Sequence, residues 1–452
     1  MQPTSSPPIP RPLAERGPVY LPADAGHRLA LHNEVHARPS ARIRMPALVV
    51  YVAVLNEGVG RENELAHLQK LPGQQALTLT DLSENFLRLR YTDHTVKWER
   101  HSEFTRYSIV QPLPAHAILG HTEPELLSGL MLSAEWLSSI PGKTIAAIKL
   151  ALVHGGSTDI ESTMALGRAW LGDHSLVASV MGNNGHSWAL TDFSLRATGF
   201  ERMLVIAPPD TTETRAGRIS QRLLELETYR LMALRGLPVA KALMPTLTAT
   251  ERELAEITAQ IESGGQSDTV LLNRLATLAA RVEMATANHA YRFAATEAYH
   301  RIVLQRIAEL REKPVPGTQT IGEFMNRRLS PAIATVSATA HRLSSLSGRI
   351  TRASALLRTR VDIATETQNQ QLLEKLTRGQ ELQLRLQSTV EGLSIAAISY
   401  YVISLVLYAG KAGKAAGLPI HPEALAGALI PVVLWAVWRT TKRIHEKLHA
   451  GH

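Results

Sequence analysis

The chain has no cysteine among its 452 residues. That absence excludes disulfides, thiolate metal sites and cysteine nucleophiles, so any metal must be held by His, Asp or Glu. The proline-rich opening MQPTSSPPIPRPLAERGP lacks an apolar run of about seven residues or more and is not expected to serve as a secretory signal. Residues 1–18 are expected to form a disordered tail, and whatever precedes a first membrane span to stay in the cytoplasm. No nucleophile motif, phosphate loop or recognised metal triad occurs either. With 45% hydrophobic and 19% charged residues, the chain is neither disordered nor wholly membrane-embedded. A net charge of +8 suits nucleic acid, an anionic membrane surface or membrane-topology signals, and charge alone does not choose among them.

What is present near the C-terminus is a pair of charge-free runs. Leu393 to Gly410, LSIAAISYYVISLVLYAG, makes roughly 27 Å of helix, close to a bilayer core. Ala424 to Trp438, ALAGALIPVVLWAVW, makes roughly 22 Å and ends in tryptophans suited to the interface. Glu423 and Arg439 can snorkel outward from its ends. Residues 393–438 therefore read as a transmembrane hairpin, with a buried hairpin of a soluble protein as the alternative. Arg439, Lys442, Arg443 and Lys447 in the tail 439–452 outweigh Lys411 and Lys414 in the connection, which places both termini in the cytoplasm. Clustered basic residues then serve topology, and no nucleic-acid partner is expected.

Upstream, Leu343, Leu346, Ile350, Ala353 and Leu357 recur at steps of three and four, the spacing of a coiled-coil seam. After the polar stretch ATETQNQQ, leucines resume at 372, 373, 376, 382, 384 and 386. No proline separates Pro331 from the connection after the first span, so the stalk 337–392 and that span can form one helix on the order of 110 Å long. Residues 211–336 read as a helical domain: an amphipathic helix over 215–234 with Glu225 and Glu227 off its apolar stripe, then helices near 248–263 and 270–311.

Residues 19–210 read as an α/β domain with a mixed sheet. Short β-branched or alternating runs mark strands at ALVVYVAVL, NFLRLRY, TVKWERH, FTRYSIV and IAAIKLALV. Helices are expected at 60–70 and 124–139. In MGNNGHSW, Asn183, Asn184 and Gly185 suit the positive φ of a tight hairpin.

Four strings carry a family resemblance: NEVHARP (Asn33 to Pro39), KWERHSEF (Lys97 to Phe104), RLLELETYR (Arg222 to Arg230) and LQSTVEGLSIAAISYY (Leu386 to Tyr401). With them the chain resembles, over nearly its whole length, a bacterial family of uncharacterised membrane-anchored proteins, a domain of unknown function. The resemblance implies a bacterial inner-membrane location and brings no activity with it. The order of parts is similar to that of CorA-type magnesium channels, which are homopentamers. Where that class has Gly-Met-Asn, this chain reads Tyr408, Ala409, Gly410, Lys411, and a ring of lysines at 411 and 414 would repel divalent cations.

Two stretches are candidate polar or metal surfaces. In LHNEVHARPS, His32 and His36 stand four apart with Glu34 between and Arg38 after. On a helix the imidazoles share a face but Glu34 does not, and Pro39 discourages helix. Metal binding, catalysis and a structural ion-pair network are the readings. In KWERHSEFTRY a strand would align Glu99, His101 and Glu103 in a row able to meet a divalent cation or Arg38, or to form a salt-bridged face. In the first span Ser394, Tyr401, Ser404 and Tyr408 form a polar stripe that can line a pore or pack between subunits, or else bond to its own backbone or pack against the second span.

The leading expectation is a non-enzymatic scaffold or anchor, partnered by the lipid bilayer and by copies of itself, with no cofactor required. A CorA-like ion channel or transporter, and a metal-dependent enzyme built on the His32 and His36 region, are the alternatives.

Overall fold

The computed structural model describes residues 27–28, 31–32, 42–114, 129–155, 159–172, 175–416 and 421–449. All five expected strands form: β1 (Ala47–Leu55), β2 (Phe86–Arg90), β3 (Thr95–Arg100), β4 (Phe104–Pro112) and β5 (Lys143–His154). They are joined by β6 (Val177–Met181), β7 (Ser187–Thr191), β8 (Glu201–Ala207) and β9 (Lys313–Pro314) in one sheet of order β2-β3-β4-β1-β5-β8-β7-β6-β9. The sheet is mixed, since β5 and β8 run parallel while the other described pairs are antiparallel. The segment after Leu310, read from sequence as a simple break, supplies the edge strand β9.

β1 carries no charged or amide side chain, in keeping with the cover on both its faces. Val49, Tyr51 and Ala53 join one core with Leu223 and Leu226 of α4 (Glu213–Leu234), Val303 of α6 (Asp268–Leu310) and Met325 of α7 (Ile321–Ala415). Leu48, Val50 and Val52 join the other, with Leu68 of α1 (Arg61–Leu68), Trp136 of α2 (Ala134–Ser138) and Trp170 of α3 (Ile160–Leu171). Helix α5 (Gly236–Ser263) begins twelve residues before the expected 248, and α8 (Pro422–His449) follows α7.

Several boundaries move. The sheet's own core draws on α4, α6 and α7, so no division falls at 210. Helix α7 runs unbroken through Pro331, and position 336 lies inside the stretch 277–350 of one compact unit. Instead, the described residues up to 255 with 277–350 form one compact unit, and 256–276 with 351 onward form another. Of the helix expected at 124–139, the described part is helical only over Ala134–Ser138, capped by the Ser133 hydroxyl accepting from the Trp136 amide. The β6–β7 turn takes its positive φ at Gly182 (83°) and Gly185 (64°), and the asparagines keep ordinary backbone.

The seam expected to pair two chains is satisfied within one. Leu343, Leu346 and Ile350 in the first unit and Leu357 in the second are 3%, 1%, 2% and 0% exposed. In the second unit Arg360 donates to the Ile261 carbonyl at 2.6 Å, holding α7 to the end of α5. Beyond it Leu372, Leu376, Leu382, Leu386, Val390 and Leu393 are all exposed, and at 100° per residue they share one side of α7.

Candidate functional site

β3 ends at Arg100, and the residues after it turn into β4, with the His101 amide donating to the Phe104 carbonyl at 2.8 Å. The row Glu99, His101, Glu103 is therefore broken, because a two-residue period holds only while the backbone stays extended. Each carboxylate goes to a separate place.

Glu99 lies inside, on the face toward α4. Its Oε2 is 3.0 Å from Lys97 Nζ and accepts from Arg106 Nε at 2.5 Å. Lys97 and Arg106 are placed by strand register: Lys97 lies two residues before Glu99 on the same face of β3, and Arg106 lies directly across from Glu99 on β4. Arg106 Nη1 also donates to Glu225 Oε1 at 3.2 Å, and Glu225 Oε2 accepts from Arg306 Nε at 2.8 Å. Arg306 then reaches Glu309 one turn on, at 2.9 Å. A chain of ion pairs thus runs from β3 through β4 and α4 to α6. Tyr51 stands beside it, sharing a 2.8 Å hydrogen bond with the Thr228 hydroxyl.

Burial pushes the Glu99 carboxyl up, but Arg106 and Lys97 outweigh it and hold it at about 2. The same burial lowers Lys97, with Glu99 opposing. For Arg106, burial works downward and loses to the carboxylates, so the guanidinium stays charged. A cavity of about 30 Å³, lined in part by Arg88, Lys97, Glu99 and Gln221, adjoins the chain. It has room for about one water, not for a substrate. The arrangement clamps sheet to helices; its carboxylates are already neutralised by guanidinium groups and offer a cation little.

Glu103, in the turn before β4, goes instead to α6 and to Arg235, the residue between α4 and α5. Arg292 grips it with two bonds, and Arg235 Nη1 lies 3.5 Å away. His101 stacks on Phe104 with ring centroids 4.5 Å apart, at the edge of a cleft of about 460 Å³ that also holds Ser102, Tyr229 and Tyr299. On the sheet's other face, buried Glu64 meets Arg100 at 2.8 Å and accepts from the Thr105 hydroxyl at 2.7 Å.

His32 is exposed in a short helical turn, while Glu34, His36 and Arg38 lie outside the described residues. Among the described residues no group of three or more His, Asp or Glu is arranged to hold a metal ion. Ser394, Tyr401 and Tyr408 are exposed and Ser404 half-buried, whereas Ser399 and Gly410 are covered. The covered side is the one facing α8, since a Cβ at Gly410 would sit 3.3 Å from Pro422. The hydroxyl stripe points away from it.

Sequence reasoning missed Arg106, Glu225 and Arg306. RLLELETYR held the signal: Glu225 and Glu227, placed off the apolar stripe as if solvated, are 5% and 0% exposed. A helix pressed between a sheet and further helices buries more than one stripe.

A second buried cluster joins Glu201 of β8 to Glu227 and Arg230 of α4. Arg230 Nε donates to Glu227 Oε2 at 2.8 Å and Nη2 lies 3.7 Å from Glu201. One guanidinium serves two carboxylates, and burial followed by the Glu227 charge pushes Glu201 up to about 8.

No curated protein matches the chain. A family profile does, over residues 23–448, and with that span the chain belongs to the family described as protein of unknown function (DUF3422).

Proposed function

We propose that the protein is a membrane-anchored, self-associating scaffold of the bacterial inner membrane, with its sheet-containing unit and both termini in the cytoplasm. One observation carries this reading. The apolar windows of α7 and of Pro422–Thr441 meet the length and composition of membrane spans yet are only 6% buried. A core helix of a soluble protein with the same composition would be mostly buried, because exposed apolar area costs about 25 cal/mol per Å². Lipid covers such a surface at no cost.

Self-association rests on the surface that leads into the first span. The leucine side from Leu372 to Leu393 sits on a helix whose other side carries Glu374, Arg378, Glu381 and Arg385, an amphipathic pattern that a second copy completes. The hydroxyls of Ser394, Tyr401 and Tyr408 continue outward-facing positions into the span, where neighbouring subunits can take them from lipid. This replaces the seam at 343–357, which the chain covers by itself.

The outward hydroxyl stripe also favours a second reading, a CorA-like pentameric channel in which those side chains line a pore; Lys411 and Lys414 would then select against divalent cations. Native mass measurement in mild detergent tests both. A defined oligomer is expected, and a monomer at all concentrations defeats both readings. Ion flux in reconstituted vesicles separates them, because a scaffold conducts nothing.

A further inference from the structure

Where the β6–β7 hairpin meets the start of α4 and the end of α6, the first unit has a cleft of about 410 Å³. Its walls carry four arginines. Arg215, Arg218 and Arg222 come from one side of α4, at steps of three and four that put them in line, and Arg311 comes from the residue after α6. Several arginines of this unit, Arg106, Arg230, Arg292 and Arg306, are matched to carboxylates. Here the matching fails. Arg222 is held at 3.4 Å by Glu309, which Arg306 already grips, whereas Arg215, Arg218 and Arg311 have no carboxylate partner among the described residues.

Other groups in the cleft suit an anion as well. Asn183 and Asn184 stand exposed at the hairpin tip, and His186 lies beside them with Nδ1 2.6 Å from the Ser187 hydroxyl. Burial, then the Arg215 charge, holds His186 below the ordinary imidazole range, with Asp210 opposing. Gly182 supplies the positive φ of 83° that the hairpin turn needs, and it lies close beside Arg215, since a Cβ there would be 3.7 Å from Arg215 Nη2. Arg311 adopts φ 51°, a left-handed position after a helix where glycine costs least.

From these residues we infer that the cleft binds a small phosphorylated ligand, a phosphomonoester or diphosphate carrying two or three negative charges. Three unmatched guanidinium groups balance that charge, and their planar forks fit phosphoryl oxygens in pairs. The volume lies within the roughly 300–1,000 Å³ of small-molecule sites, larger than a lone chloride needs. Glu309 also lines the cleft, but Arg306 and Arg222 already bind its carboxylate oxygens and offset its charge. The phosphoryl group can belong to a soluble metabolite or to a lipid headgroup, and the two sources separate by experiment.

The test is calorimetric titration of pyrophosphate into the intact protein in zwitterionic detergent. Saturable binding of one pyrophosphate per chain is expected. The double variant R218Q/R311Q, at two exposed positions, should bind at least tenfold more weakly while unfolding at the same temperature as the parent without ligand. R358Q, an exposed arginine on α7 outside the cleft, should bind as the parent does. If the double variant does not fold, R218Q alone is read by the same criterion. Repeating the titration in nanodiscs of phosphatidylcholine with and without phosphatidylglycerol identifies the source: a headgroup in the cleft lowers pyrophosphate affinity in the anionic discs only, and a soluble ligand leaves it equal in both. Absence of saturable binding, undiminished binding by the folded arginine variant, or equal affinity for chloride overturns the inference.

Discussion

Arg292 of α6 holds Glu103 of the β3–β4 turn by both ends of its guanidinium, Nη1 to Oε1 at 2.7 Å and Nη2 to Oε2 at 3.0 Å, across 189 residues of sequence. Both side chains are 12% exposed. Removing one partner strands the other charge, so Glu103→Ala is expected to cost roughly 2–3 kcal/mol. Arg292→Ala should cost a similar amount, and the double variant less than the sum. Denaturant unfolding of all three checks this; strict additivity would mean that the pair contributes nothing as a pair.

Acid should weaken the ion-pair chain in a defined window. Glu99 is held at about 2 against an ordinary 4.5, so it contributes stability that is complete above 4.5 and is lost as pH falls toward 2. His67, lowered to about 4 by burial and then Lys70, acts in the same direction between 6.5 and 4, because the unfolded imidazole takes up a proton that the folded one refuses. Glu99→Gln should flatten the lower part of the pH–stability curve, at the cost of a less stable protein at pH 7.

Glu201 has the opposite sign. Pushed up to about 8, it is protonated in the folded protein at neutral pH, so the folded state binds more protons than the unfolded state between 4.5 and 8 and stability falls as pH rises through that range. Glu201→Gln removes this slope. A melting temperature that still declines equally between pH 6 and 9 in the variant would contradict the assignment.

Position 142 tests the corner before β5. Gly142 has φ 119°, and a Cβ there would lie 2.5 Å from the Leu55 carbonyl oxygen, a backbone atom that cannot swing aside. Gly142→Ala should destabilise by about 2–4 kcal/mol from strain and clash together. Gly58, also at positive φ (75°) but with open space around it, should tolerate alanine better, and comparison of the two unfolding midpoints separates clash from strain.

The two leucine patterns of α7 should behave oppositely. Leu376→Gln with Leu386→Gln, both on the exposed side, is expected to lower the oligomer mass without shifting the melting temperature of the sheet-containing unit. Ile350→Asp instead places a charge in a position 2% exposed and should unfold the chain locally whatever its oligomeric state. For the membrane reading, cysteines introduced at Ala415 and Ala450 of this cysteine-free chain should react with an impermeant reagent from opposite sides of a vesicle; reaction from one side would remove the hairpin topology.

Local pattern alone determined much of this protein. The strands β1 to β5, the helices α4 and α6, and the two apolar runs at 393–410 and 424–438 follow from periodicity and charge-free length, which depend on neighbours in sequence. Tertiary structure decided the rest. Whether Leu346 and Ile350 pair with a second chain or with this one depends on α5 and α6 returning alongside α7, and a heptad spacing is the same in both cases. That Glu225 meets Arg106 and Arg306, or that Arg215 and Arg311 share a cleft with the β6–β7 hairpin, rests on contacts between residues about a hundred positions apart. Charge pairing is set by distance in space, and a single sequence specifies that distance only through the packed core that brings the sheet and its helices together.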